Sequence, residues 1–108
     1  MPFYVGTHHK RRFVGVLARI IMNKIPALKN AVLEASRGSH TAFRVIFESE
    51  GDKVFRYFLA HTGDREAALD LLQETFIDLW KALPRFHFRS NEEFCGFLFT
   101  IGRRKLAQ

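Results

Sequence analysis

Acidic residues recur every four positions within residues 64–80, a spacing that places their carboxylates on one face of an α-helix. They are Glu66, Asp70, Glu74 and Asp78. Like charges at positions i and i+4 repel by about 0.2–0.5 kcal/mol per pair, so the stripe costs an isolated helix roughly 1 kcal/mol. A helix selected only for stability would mix the signs, so the pattern favours a basic partner surface. The alternative is a solvated acidic face whose first carboxylates suit the helix N-terminus.

A second group of candidate residues follows this helix and combines aromatic rings with cations. Residues 85–89 read Arg-Phe-His-Phe-Arg. This composition can hold an unpaired base by stacking while arginine contacts phosphates. His87, Phe88 and Arg89 are the better contacts, and Phe86 is the better core residue. The alternative is a loop whose phenylalanines plug the end of the core.

The helix that follows the loop carries Phe99 and Arg103 on the side away from its apolar face. An exposed aromatic ring beside arginine can stack on an unpaired base at about 1–3 kcal/mol per base. The alternative is that Phe99 is buried against the N-terminal helices. The C-terminal cations Arg103, Arg104 and Lys105 also suit the negative end of the helix macrodipole without any ligand.

Helix signals account for the rest of the chain. The expected helices are residues 27–37, from Ser39 to about Thr62, from Asp64 to just before Pro84, and from about Asn91, with a loop over 84–90. Gly51 predicts a bend or break in the second helix, since glycine costs about 1 kcal/mol relative to alanine. No alternating apolar pattern of strand length occurs, so the predicted fold class is all-α, a compact bundle of four to five helices.

Apolar spacing predicts which side chains form the core. On the acidic helix the predicted stripe is Leu69, Leu72, Phe76, Leu79 or Trp80, and Leu83. The preceding helix offers Phe43, Ile46, Phe47, Val54, Phe55, Phe58 and Leu59, and the last helix offers Phe94, Phe97, Leu98 and Ile101. The chain contains 12 Phe, more than a few short helices readily hide.

Charge and cysteine content limit the function classes. The net charge is +6, and residues 1–38 hold seven Lys or Arg against Glu34 alone, so the remainder is neutral but polarised. Such a domain suits one basic and one anionic partner. Cys95 is the only cysteine, which excludes an intrachain disulfide and favours the cytosol. No histidine spacing predicts a metal site, and no motif of an enzyme or cofactor is present.

We expect a basic N-terminal extension over residues 1–26 and the helical domain over residues 27–108. Within the extension, residues 10–24 fit a basic amphipathic helix. Its apolar run falls short of the roughly 20 residues of a membrane span. Met22 opens a second plausible start, so we expect residues 1–21 to be dispensable for the fold. One interpretation of the whole protein is therefore a chain that residues 10–24 anchor on a membrane surface.

Three segments together resemble a known family. Residues 62–76 read TGDREAALDLLQETF and are followed by Trp80 and by Pro84-Arg85-Phe86; Ala42-Phe43 precedes them, and Phe94-x-x-Phe97-Leu98-x-x-Ile101-Gly102-Arg103 ends the match. This pattern resembles region 2 of bacterial RNA polymerase sigma factors, most closely the extracytoplasmic-function group. The resemblance covers roughly residues 33–105 and implies a helical bundle of the region 2 type.

The resemblance implies two binding surfaces and no catalysis. Asp70, Leu71, Gln73, Glu74 and Phe76 match the segment that docks on the coiled coil of the polymerase β′ subunit, and the acidic stripe adds Asp78. The loop and last helix would capture and melt the promoter −10 element as a single non-template strand. The DNA contacts would then be His87, Phe88, Arg89, Phe97, Phe99, Arg103, Arg104 and Lys105. An anti-sigma factor is a further partner of the kind such domains have.

Departures from the family pattern leave two questions open. Phe97, Gly102 and Arg104 stand where the family has Trp, Ala and Asn, which leaves open which bases are read. The second family domain, which reads the −35 element, is not in the sequence, so the chain is either a fragment of a longer factor or a protein that is not a complete sigma factor. The alternative is a sigma-like helical module that docks on polymerase or a regulator without initiating transcription.

Overall fold

The computed structural model describes residues 27–108, and within that range every regular element is a helix. Helix α1 covers residues 27–36. It is followed by α2 (His40–Thr62), α3 (Arg65–Ala82), a turn of 3-10 helix (Leu83–Arg85) and α4 (Asn91–Ala107). The all-α prediction is confirmed. The helix predicted over 10–24 lies outside the described residues.

The helix starts follow from side-chain caps that satisfy otherwise unpaired backbone N–H groups. Ser39 Oγ accepts from the Ala42 N–H at 3.1 Å and begins α2. Asp64 Oδ1 accepts from the Glu66 N–H at 3.0 Å and begins α3. Ser90 Oγ accepts from the Glu93 N–H at 3.0 Å and begins α4. These three starts agree with the sequence prediction.

Two turns of the backbone also follow from local sequence. Gly63 ends α2 with φ 66°, a left-handed conformation that glycine adopts without strain. Its N–H donates to Leu59 O at 2.8 Å. At the end of α3 the chain tightens into 3-10 geometry, which accepts Pro84 because an N–H is not needed in the first turn. The irregular loop is therefore 86–90 and shorter than the predicted 84–90.

Gly51 does not break α2, so of the two predicted outcomes, a bend or a break, the break is wrong. The helix runs through it from His40 to Thr62. A Cβ at position 51 would lie 3.4 Å from the Phe47 ring, so the glycine is buried beneath that ring. The low helix propensity of glycine is therefore not enough to interrupt α2 at this position.

The core lies between α2, α3 and α4, with α1 packed onto it. Its fully buried large side chains include Ile46, Val54, Phe58, Leu79, Leu83, Phe94 and Leu98. Leu69 was predicted in the core stripe but is 40% exposed, whereas Ala68 is fully buried. The buried face of α3 is therefore centred nearer Ala68, Leu72 and Thr75 than the leucine pattern indicated, because α2 and α4 both pack against it.

Helix α4 approaches the bundle closely at Gly102. A Cβ there would lie 3.2 Å from Phe58 Cζ and 3.9 Å from Thr75 Cγ2. The missing side chain lets α4 lie against α2 and α3 at one crossing point. This contact fixes the orientation of the residues that α4 carries on its outer side.

A buried carboxylate, which the sequence pattern did not reveal, joins α2 to α4. Glu50 is 1% exposed. Its carboxylate accepts from Ser49 Oγ at 2.6 Å, pairs with Lys53 Nζ at 2.9 Å and lies 3.5 Å from Cys95 Sγ of α4. Burial raises the pKa of Glu50, but the hydrogen bonds from Ser49 and Lys53 outweigh it and leave that pKa below 4.5. Glu50 is thus a buried, charged side chain that links α2 to α4.

Candidate nucleic-acid interface and acidic helix face

The loop 86–90 is held to the bundle by two of its aromatic rings. The Phe86 ring stacks on Phe97 with centroids 4.7 Å apart. It also meets the Phe94 ring edge-on at 5.7 Å. Phe88 stacks against Phe94 at 6.2 Å and is half-buried. The side chains between and after these anchors, His87 and Arg89, are exposed.

A first cavity of about 440 Å³ opens beside this loop. Its lining is Ala82, Arg85, Phe86, His87, Arg89, Glu93 and Phe97. The stacked rings of Phe86 and Phe97 form an aromatic wall, and the exposed residues His87 and Arg89 also line the cavity. An aromatic wall beside hydrogen-bond donors is the arrangement that holds an unstacked base.

A second cavity of about 390 Å³ adjoins the first and shares Ala82, Arg85 and Phe97 with it. Its lining is Asp78, Lys81, Ala82, Arg85, Phe97, Ile101, Arg104, Lys105 and Gln108. Four of these residues are cationic and only Asp78 is acidic. The end of α3, the 3-10 turn and the end of α4 thus form one basic surface that continues from the aromatic cavity.

Asp78 and Lys105 meet at this surface, although the sequence assigned them to different partners. Lys105 Nζ lies 2.9 Å from Asp78 Oδ2. The pKa of Lys105 is raised because Asp78 accepts its hydrogen bond, with smaller attraction from the charges of Asp78 and Glu74. The acidic stripe and the basic surface therefore touch through this pair.

Phe99 and Arg103 lie apart from both cavities. The Phe99 ring packs edge-on against Tyr57 of α2 at 5.5 Å and is half-buried. Arg103 is exposed, and its Nη2 donates to Thr100 Oγ1 at 3.2 Å. The structure thus brings Phe97 next to the loop and places Arg104 and Lys105 in the adjoining cavity, whereas Phe99 lies on the α2 side.

The remaining acidic residues of α3 face solvent. Glu66, Asp70 and Glu74 are exposed, as is Gln73. Leu71 is half-buried. Of the residues expected to contact polymerase, Asp70, Gln73 and Glu74 are therefore exposed, and the side chain of Asp78 is 39% exposed.

Phe76 is 4% exposed and lies in an apolar groove rather than on the acidic face. The groove holds about 370 Å³ and is lined by His40, Phe43, Phe47, Gln73, Phe76, Ile77 and Trp80. The rings of His40 and Trp80 stack at 4.7 Å. Phe47 and Ile77 are 41% and 53% exposed, so large apolar side chains face solvent beside Gln73. The sequence predicted Phe47 for the core, and only the high Phe count hinted at an exposed aromatic surface.

Two further kinds of site are absent from residues 27–108. No group of three or more His, Cys, Asp or Glu side chains there is arranged to hold a metal ion. No helix in that range is both long and apolar enough to cross a membrane.

The fold and these surfaces define an all-α domain with an acidic helix face and a basic, aromatic face. Residues 46–108 match the family described as Sigma-70 region 2. The ECF RNA polymerase sigma factor BldN of Streptomyces coelicolor is 30% identical over 76 residues, which are 70% of this chain and 28% of that relative. The chain belongs to the sigma-70 region 2 family, and the likeness to BldN supports the extracytoplasmic-function group, as the motif in residues 62–76 predicted. The chain matches less than a third of the relative's length.

Proposed function

We propose that this chain binds the core of RNA polymerase and recognises and melts the −10 element of promoters. The observation that carries the proposal is the pair of adjoining cavities, one walled by aromatic rings and one lined by cations. Membership of the sigma-70 region 2 family supports polymerase and promoter DNA as the partners. Such a domain would work in the cytosol.

The aromatic cavity would accept one base of the non-template strand. The base would leave the duplex and stack beside Phe86 and Phe97, with His87 and Arg89 donating to its edge. Stacking on an aromatic side chain contributes about 1–3 kcal/mol per base, comparable to the few kcal/mol needed to unstack a base. Strand opening would therefore draw on binding energy, and no covalent chemistry by the protein is required.

The basic cavity would hold the phosphates that adjoin the captured base. Lys81, Arg104 and Lys105 line it, and Arg85 belongs to both cavities. Cations along a phosphate chain set register and affinity without reading sequence. Base identity would thus be read in the first cavity and strand position fixed in the second.

The acidic face of α3 would dock on the coiled coil of the polymerase β′ subunit. Asp70, Gln73 and Glu74 are accessible there, and the apolar groove around Phe76 begins beside Gln73. Acidic and apolar groups side by side suit a basic helical partner with an apolar stripe. Asp70→Lys should weaken core binding by about 2–5 kcal/mol if the contact is buried, and by much less at a rim.

A reconstituted complex of the chain, core polymerase and promoter DNA tests both parts of the proposal, promoter opening and core binding. Arg89→Ala should lower permanganate reactivity of unpaired thymines while core binding stays intact. Asp70→Lys should lower retention on immobilised core. The matched controls are Arg56→Ala and Asp52→Lys, since these two residues form an exposed pair on α2 outside every cavity described.

Two results would change the assignment. If Arg89→Ala opens DNA as well as Arg56→Ala does, the loop does not capture a base. If the chain binds core but no thymine becomes reactive, the alternative of a sigma-like docking module is favoured.

A further inference from the structure

The apolar groove around Phe76 lies between α2 and α3 and holds about 370 Å³. Several large side chains in and beside it face solvent. Phe47 of α2 is 41% exposed and Ile77 of α3 is 53% exposed. Leu69, which lies about two helical turns before Ile77, is 40% exposed. Large apolar side chains that are exposed together mark an interaction surface.

One flank of the groove is acidic and unpaired. At about 100° per residue, Asp70 and Glu74 of α3 lie on the same side of Ile77. Both carboxylates are exposed, and neither forms an ion pair with another residue of 27–108. On α2, by contrast, the exposed charges of Arg44 and Glu48 pair with each other at 3.4 Å. The groove therefore fits a helix that has an apolar stripe and cations on one flank of it.

The chain itself contains a segment of this kind in residues 10–24, which lie outside the described residues. Phe13, Leu17 and Ile20 recur at steps of four and three, a spacing that predicts one stripe of a helix. Arg12 and Arg19 would lie on one flank of that stripe, two helical turns apart. The segment contains five Lys or Arg and no Asp or Glu. Its stripe is thus complementary to the groove, and its charge is complementary to the acidic flank.

The chain is long enough to bring this segment to the groove. His40 lines the groove and is the first residue of α2, and α1 ends at residue 36. Since α1 over residues 27–36 is about 15 Å long, its first residue lies no more than roughly 30 Å from His40. A helix over residues 10–24 would be about 22 Å long, and residues 25–26 would link it to α1. The segment can therefore reach the groove while α1 stays in place.

We propose that residues 10–24 dock as a helix in the groove between α2 and α3, with their cations toward the acidic flank of α3. The tether makes the contact intramolecular, which raises the local concentration of the segment. A second copy of the chain fits the groove less well, because a symmetric contact would place Asp70 and Glu74 of one copy near those of the other. The docked segment would cover exposed side chains and leave the core unchanged, so residues 1–21 remain dispensable for folding.

Trp80 reports on the groove in the full chain, because it is the only tryptophan and lines the groove. Leu17→Asp places a carboxylate in the apolar stripe and should release the segment. Acrylamide should then quench Trp80 more strongly, and the emission maximum should shift to longer wavelength. Ala18→Asp is the matched control, because it adds the same charge away from the stripe, and it should resemble wild type. Equal quenching in wild type and both variants would refute the docking.

A photo-crosslinking amino acid, benzoylphenylalanine, in place of Ile77 identifies the occupant directly. Irradiation of the dilute full chain should attach this residue to residues 10–24 of the same molecule, as located by peptide mass mapping. The control is the same amino acid in place of Val45, which is 41% exposed but does not line the groove. A product of two chains whose yield rises with protein concentration would show that a second copy occupies the groove. That result, or equal attachment from position 45, would overturn the proposal.

The docked segment would also cover the groove beside the proposed polymerase contact, and only this consequence rests on the proposed function. Leu17→Asp should therefore bind immobilised core polymerase several-fold more tightly than Ala18→Asp. Quenching and crosslinking as expected, with no variant retained on core, would keep the docking and reject the proposed function. Retention on core without the crosslink or the difference in quenching would keep the proposed function and reject the docking.

Discussion

Replacing Glu50 with Gln should destabilise the domain even though the shape of the side chain is kept. The carboxylate is 1% exposed and receives hydrogen bonds from Ser49 at 2.6 Å and from Cys95 of α4 at 3.5 Å. Hydrogen bonds to charged groups contribute about 1.5–3 kcal/mol, against about 0.5–1.5 kcal/mol for neutral ones. The charge of Glu50 also pairs with Lys53.

The size of the effect follows from how far each partner can return to water. Breaking a fully buried pair costs about 3–5 kcal/mol. Lys53 is 46% exposed and can be solvated after the change, so the loss is smaller. We expect about 2 kcal/mol for Glu50→Gln, which for a domain of this size lowers Tm by on the order of 10 °C.

The loss should depend on pH in a defined direction. The pKa of Glu50 in the folded protein lies below 4.5. A carboxylate with a depressed pKa stabilises the fold above its unfolded-state pKa, and the contribution disappears as the pH falls through the folded-state value. The stability difference between wild type and Glu50→Gln should thus be full near pH 7 and shrink below about pH 4.5.

Urea denaturation followed by circular dichroism measures this difference. Glu48→Gln is the control, because Glu48 lies on the same helix, pairs with Arg44 at 3.4 Å and is 65% exposed. Exposed i,i+4 pairs contribute only about 0.3–0.5 kcal/mol. Equal stability of the two variants at pH 7, or a difference that does not change with pH, would refute the account of Glu50 as a buried, charged side chain that links α2 to α4.

Three further outcomes are expected. Gly96→Ala should stabilise the domain by about 1 kcal/mol, since no atom outside the local helix backbone lies within 4 Å of the new Cβ and alanine favours the helix. Gly102→Leu should destabilise the domain by about 1–3 kcal/mol by overpacking against Phe58. Thermal melts in which the Tm of both glycine variants moves in the same direction would contradict these two expectations. A chain beginning at Met22 should keep the helical signal and cooperative transition of the full chain, and aggregation or a large fall in Tm would show that residues 1–21 belong to the domain.

Most of the helical architecture could be predicted from the sequence because helix boundaries depend on local chemistry. Ser39, Asp64 and Ser90 can cap a helix whatever the tertiary fold, and Gly63 can end one. The motif in residues 62–76 likewise indicated the family before any contact was known. Both kinds of signal lie within a few consecutive residues.

The candidate binding sites were likewise predictable only where the signal lies within a few consecutive residues. The spacing of acidic residues predicted a charged face on α3, and Asp70 and Glu74 are accessible there. Spacing did not reveal that Phe99 packs on Tyr57, that Phe76 lies in a groove, or that Asp78 pairs with Lys105. These depend on how α3 and α4 approach each other and α2.

Periodicity assigns a side chain to a face of its own helix, but the neighbouring helices decide whether that face is buried, grooved or paired. Leu69 is exposed because the contact surface of α3 centres on Ala68 and Thr75. Glu50 is buried and charged because Ser49, Lys53 and Cys95 converge on it from two helices. Sequence alone thus determined the helices, their caps and the family, whereas the tertiary structure decided which charges meet, since contacts between residues distant in the chain exist only once the helices have packed.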